Sequence, residues 1–151
     1  MDDMMKNGMT GLFLAILAVF DLKYKKIPVL LFLFFGILAT AIAIYMGIDK
    51  NAGMLKVIMD CLLGILPGIF LIGVSVFSRN QIGVGDGLSF IITGIMLGFL
   101  KNMCLMCYSL VMVSVLSAIL LVSKKGSRKK ELPFLPAVFL CYLAEVMFGW
   151  Q

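Results

Sequence analysis

Apolar residues fill this chain in six stretches of bilayer-spanning scale, with charged and turn residues gathered in the breaks between them. They run from about Gly8 to Tyr24, Val29 to Ile48, Met54 to Phe77, Ile82 to Leu100, Met103 to Val122 and Leu132 to Trp150. At about twenty residues each, six spans take roughly 120 positions. In a chain of 151 residues that leaves short loops and no room for a separate soluble domain. The expected fold class is therefore all-α, a polytopic membrane protein built as one bundle of six transmembrane helices over residues 1–151. Composition agrees: 62% of residues are hydrophobic and 14% charged, too apolar for a soluble domain with a polar shell. The opening residues MDDMMKNG carry both signs of charge and lack a small-residue cleavage signature, so the first helix is expected to stay in place.

Loop charge sets the expected orientation, because Lys and Arg are retained on the cytoplasmic face. Lys23, Lys25, Lys26, Arg79, Lys124, Lys125, Arg128, Lys129 and Lys130 follow spans one, three and five. Only Lys6, Lys50, Lys56 and Lys101 flank the opposite ends. The odd-numbered loops are thus expected in the cytoplasm and both termini outside, in a cell membrane.

The same lengths bear on two carboxylates. The apolar run Met9 to Phe20 covers about 18 Å at 1.5 Å per residue, short of a hydrocarbon core about 30 Å thick. To span, the first helix has to continue past Asp21 toward Tyr24, which puts Asp21 about a turn inside the cytoplasmic boundary. Gly87 to Leu100 covers about 21 Å, so the fourth helix has to begin before Asp86. Asp21 closes a span running inward and Asp86 opens one running outward, so both fall at the cytoplasmic end.

An ionisable group at membrane depth is costly unless paired or solvated, and marks a functional site by default. Two carboxylates that approach each other tend to share a proton, one acting as base and the other as acid. With no His in the chain, that pair is the natural equipment for activating water against a peptide bond without a metal or other cofactor. The bland alternative is that each aspartate caps a helix or pairs with a neighbouring Lys. The setting of Asp86 favours function: Gly83, Gly85 and Gly87 surround it, which permits unusual backbone angles and clears side chains from the path of an extended substrate. Taken by itself, Gly83-Val84-Gly85-Asp86 also reads as a glycine-rich turn with Asp86 capping a helix.

Three elements in order resemble the prepilin peptidases, GxGD intramembrane aspartic proteases that process type IV pilin-like precursors. The first is Asp21-Leu22-Lys23-Tyr24-Lys25-Lys26-Ile27-Pro28, an aspartate followed by a basic stretch and Ile-Pro. The second is Gly83-Val84-Gly85-Asp86 at the start of the fourth span, and the third is Leu132-Pro133-Phe134-Leu135-Pro136 opening the last. The resemblance covers nearly the whole chain. It implies Asp21 and Asp86 as the catalytic pair, with Gly83, Gly85, Gly87 and Pro28 shaping the site. Its implied substrate is a precursor with a short basic leader ahead of a hydrophobic helix, cut near their junction at the cytoplasmic boundary. Val29 stands where the family usually has Asn, and Leu88 where it usually has Lys. The loop after the first span has no Cys, so the resemblance implies the peptidase-only form without the zinc-binding, methylating segment of larger relatives. From other classes, a small ion- or proton-coupled transporter subunit would use the same aspartates, and a silent assembly factor would retain the fold.

The remaining features have simpler readings. Cys104 and Cys107 form a CxxC inside an apolar span, with Cys61 and Cys141 elsewhere, and packing is expected rather than metal or redox chemistry. Asp60, with Lys56 four residues before it, and Glu145 are expected to be structural. The basic run Ser123 to Lys130 is expected to meet anionic lipid and not nucleic acid. Gly64, Gly68 and Gly73 with Pro67 are expected to allow close helix packing and a kink.

Overall fold

A computed structural model of the chain describes residues 2–24, 28–49, 54–77, 83–122 and 134–148. Within them lie six helices and no strand: α1 Asp2–Tyr24, α2 Val29–Asp49, α3 Met54–Phe77, α4 Val84–Leu97, α5 Phe99–Val122 and α6 Leu135–Phe148. The all-helical expectation holds on these residues. As the length argument requires, α1 carries on past Asp21 to Tyr24, and α4 begins before Asp86.

Helix lengths are less uniform than six spans call for. Val57–Phe77 and Phe99–Ile119 are long and apolar enough to span a membrane, while Val29–Tyr45, Val84–Leu97 and Leu135–Met147 are shorter apolar stretches. The 14 residues of α4 rise about 21 Å, as do those of α6.

The break between α4 and α5 also moves. A turn around Lys101 and Asn102 was the expected boundary, yet the structure turns on a single residue, Gly98, with φ of 80°. That left-handed backbone suits glycine and few others. The Gly98 N–H donates to the Gly94 carbonyl at 2.9 Å and closes α4, and Lys101 and Asn102 lie inside α5.

Helix α4 is the centre of the bundle, packing against α1, α2, α3 and α5, while α6 packs on α1 and α5. Its tightest neighbour is α3, and glycine is the reason. A side chain on Gly64 would collide with the Gly94 carbonyl, and one on Gly94 with the Gly64 carbonyl. Farther along, a Cβ on Gly68 would lie 2.8 Å from the Gly87 carbonyl, and one on Gly87 3.2 Å from the Gly68 carbonyl. The two backbones therefore touch, as small residues allow between apolar helices. The expected close packing at Gly64 and Gly68 is present, whereas Gly73 has nothing within 4 Å of its missing side chain. Pro67 sits inside α3, which runs through it as one helix.

Phe13, Leu14 and Leu17 of α1 meet Phe32 and Phe35 of α2, Phe90 of α4 and Leu135 and Val138 of α6 in one buried cluster. The Phe13 and Phe35 rings lie 4.8 Å apart. Outside that cluster the helices turn large apolar side chains outward, among them Leu30, Phe34 and Ile37 on α2, Phe70 and Phe77 on α3 and Val111 on α5.

Candidate active site

Asp21 lies in the last turn of α1 and Asp86 in the first turn of α4, where those two helices pack together. Both are half-buried, and Asp86 lies within electrostatic reach of Asp21. The structure thus gathers the two carboxylates that chain order placed at one end of the bundle.

Each is held by backbone at a helix start. Gly83 is the N-cap of α4, so Asp86 occupies the third helical position. From there its side chain reaches back to accept a hydrogen bond from the Gly83 backbone, while its own N–H donates to the Gly83 carbonyl at 3.0 Å. This is the acidic half of a capping box, the other half missing because glycine has no side chain. The capping reading of Asp86 is thus half right: it caps from inside the helix. Asp21 instead accepts from the N–H of Leu135, the first residue of α6, at 3.3 Å across 114 positions of sequence. That distance is at the long end for an N–H···O bond.

The site-shaping residues divide between two duties. Gly83 is exposed at the entrance, and a Cβ there would lie 3.3 Å from Asp86 Oδ2, so its missing side chain leaves room directly at the carboxylate. Gly85 is half-buried in the first turn of α4. Gly87 faces away from the entrance: its absent side chain leaves room for Ile72 and Gly68 of α3. The glycine-rich stretch thus does more packing than a substrate-clearing reading implies, and neither Gly83 nor Gly87 has a left-handed backbone. Pro28 is exposed one residue before α2, its carbonyl accepting from Leu31 N–H at 3.0 Å. Val29 is exposed beside it, while Leu88 is half-buried and packs against the core.

Two partners of the site went unread in the sequence. Ser89 Oγ donates to the Asp86 carbonyl at 2.6 Å, one turn into α4. The start of α6 is the other, through the Leu135 amide and through Phe134, whose ring lies 6.2 Å from that of Phe90. Only the Leu-Pro-Phe-Leu-Pro string hinted at it, as a helix opening.

The other titratable groups lie elsewhere. Glu145 is half-buried on α6 within electrostatic reach of Lys101, and its Oε2 has no hydrogen-bond partner among the described residues. Asp60 is exposed on α3; the Lys56 side chain expected to pair with it lies outside the described residues. So do Lys25 to Ile27 and the whole basic run Ser123 to Lys130. All four cysteines are free thiols, Cys104 and Cys107 exposed and Cys61 and Cys141 half-buried. Among the described residues no three Cys, Asp or Glu side chains gather as a metal site would need. A cleft of about 240 Å³ opens between α2 and α3, lined by Thr40, Ala43, Ile44, Ile58, Cys61 and Ile95. Ile95 is nine residues along α4 from Asp86, about 13 Å, and the cleft holds no ionisable group beyond one thiol.

Two carboxylates in mutual reach, one on a helix end and one in a glycine-flanked first turn, can divide acid and base roles over one water molecule. The chain matches no protein-family profile, no curated protein and no solved structure.

Proposed function

We propose that this protein is a membrane aspartic endopeptidase of the prepilin peptidase type, with Asp21 and Asp86 as its catalytic pair. The observation that carries the reading is the placement of those two carboxylates within electrostatic reach of each other, one in the last turn of α1 and one in the first turn of α4. In the proposed reaction one carboxylate takes a proton from water, the resulting oxygen attacks the scissile carbonyl carbon, and the other, protonated, acid gives its proton to the departing amine. Hydrolysis of this kind needs no cofactor. The substrate is a pilin-like precursor whose basic leader precedes a hydrophobic helix, and the pair acts at the cytoplasmic face of the cell membrane with both termini outside.

A six-crossing arrangement underlies this proposal. Its support is the apolar exterior: Leu30 is 79% and Ile37 69% exposed along one face of α2, and Phe77 is 94% exposed at the end of α3. A surface like that is stable against lipid and prone to association in water. The short helices α4 and α6 fit if the bilayer thins locally or the polar flanks reach to the headgroups.

Co-expression with pilin-like precursors, read by the mobility shift on leader removal, tests the reading. Cleavage by the parent and its loss in both Asp21→Asn and Asp86→Asn are expected. Cleavage that survives both substitutions would reject the site, and ion flux without cleavage would favour a transporter built on the same aspartates.

A further inference from the structure

Helix α6 begins with an incomplete set of donors. Ala137 and Val138 both donate to the Phe134 carbonyl, at 3.1 and 3.2 Å, and Pro136 between them and Leu135 has no N–H to give. The Leu135 amide is the first-turn donor that its own helix does not use, and it goes to Asp21 Oδ2. One residue earlier, the Phe134 ring packs against Phe90, which lies one turn along α4 from Asp86. The two residues that open α6 therefore touch both aspartate-bearing helices, one by a hydrogen bond and the other by a ring. Leu135 is also fully buried in the central cluster, so its amide cannot shift without moving the core.

The geometry points to the Phe134–Leu135 entrance of α6 as the positioning element of the catalytic pair, with the Leu135 backbone N–H fixing the orientation of the Asp21 carboxylate toward Asp86. This rests on the endopeptidase reading and adds a third element to it. Leu135 acts through Asp21 and does not touch the substrate. A carboxylate at a helix end has several rotamers open to it, and a buried donor from a second helix selects one. Phe134 then sets the distance between that helix and α4, so the relation between the carboxylates depends on a segment that carries no ionisable group.

Two measurements test it. The first compares Leu135→Ala, which keeps the amide and trims the side chain, with Leu135→Pro, which removes the amide at a first-turn position that tolerates proline. In cleavage of a purified precursor, kcat for Leu135→Pro is expected to fall about tenfold below that of Leu135→Ala with KM little changed, the rate effect of losing one charge-assisted hydrogen bond. Equal kcat values in the two variants would overturn the inference. The second needs no turnover and stands even where Leu135→Pro does not fold. In protein labelled with ¹⁵N-leucine, the Leu135 amide proton, assigned by its disappearance in Leu135→Ile, is expected to move upfield in Asp21→Ala and to stay in place in Asp60→Ala. An amide that does not move in Asp21→Ala, in a parent that cleaves precursor, sinks this inference alone. A parent that cleaves no precursor sinks the endopeptidase reading and any positioning role with it.

Discussion

Asn102 Nδ2 donates to the Gly64 carbonyl at 2.9 Å, so a side chain of α5 closes on the backbone of α3 where α3 and α4 cross. Its second N–H goes to the Phe90 carbonyl at 2.9 Å, and its Oδ1 accepts from the Thr93 hydroxyl at 2.8 Å. Two carbonyls can only accept and one hydroxyl is left to give, so the partners dictate which way the amide points. A fully buried asparagine of α5 is thereby satisfied by two neighbouring helices, α3 through Gly64 and α4 through Phe90 and Thr93.

Asn102→Ala is expected to destabilise the bundle by about 1–3 kcal/mol, since interhelical hydrogen bonds are each modest. The carbonyls it leaves behind stay bonded within their helices, and Thr93 keeps a longer reach to the Phe90 carbonyl at 3.4 Å. Asn102→Asp is expected to cost more, because it removes both donors and sets a carboxylate against two carbonyl oxygens. Unfolding of the purified protein in graded detergent mixtures ranks the parent, the alanine and the aspartate variants.

The same residue shows where sequence reasoning stops. Lys101 and Asn102 look like a loop because polar residues interrupt an apolar run, and the chain instead turns at Gly98 while Asn102 goes inward. A polar residue can be buried wherever carbonyls converge on it, which no local pattern reveals. The end of α1 at Tyr24 was legible, by contrast, because it follows from length: the run before Asp21 is too short for a span. So was the shared end of Asp21 and Asp86, which follows from alternation. The tie from Asp21 to Leu135 was not, since a backbone donor 114 residues away leaves no trace in side-chain chemistry. Nor was the duty of Gly87, where room for a substrate and room for a neighbouring helix call for the same residue.

Two glycines of α3 separate packing from propensity. Gly64→Ala is expected to cost about 2 kcal/mol or more, because the added carbon meets the Gly94 carbonyl and neither backbone can yield without opening the α3–α4 contact. Gly73→Ala meets nothing within 4 Å and is expected to be neutral or to stabilise by up to about 1 kcal/mol, as alanine does in place of glycine in a helix. Thermal denaturation in one detergent compares the pair directly, and equal losses at the two positions would contradict the crossing described.

The seam between α1 and α6 rests partly on one hydroxyl. Tyr142 Oη donates to the Asn7 carbonyl at 2.7 Å, and a Cβ on Gly11 would lie 3.3 Å from its ring. Tyr142→Phe keeps the ring in the core and is expected to lose about 1 kcal/mol. Since Asp21 is held by α6 from the other end of α1, a loosened seam also predicts faster proteolysis of the chain ahead of α6. Limited digestion in detergent checks it: unchanged cleavage at the α6 entrance would mean that the two ends of the seam act independently.

Gly83 offers the most direct approach to the carboxylate from outside it. Its backbone, with φ of −64° and ψ of 129°, is one that alanine adopts freely, so Gly83→Ala carries no conformational penalty. Beyond its chain neighbours, the three atoms nearest the new carbon belong to the Asp86 carboxyl group, the nearest at 3.3 Å. That spacing is tight enough to move an oxygen by a few tenths of an ångström, and the carboxylate is the soft partner because a single torsion turns it. Precursor cleavage is expected to slow about three- to tenfold, on the order of 1 kcal/mol in the barrier, with helix content and thermal stability unchanged. A rate equal to the parent's in a folded Gly83→Ala protein would show that Asp86 turns aside without consequence, and that the missing side chain at Gly83 serves the chain's entry into α4 rather than the reaction.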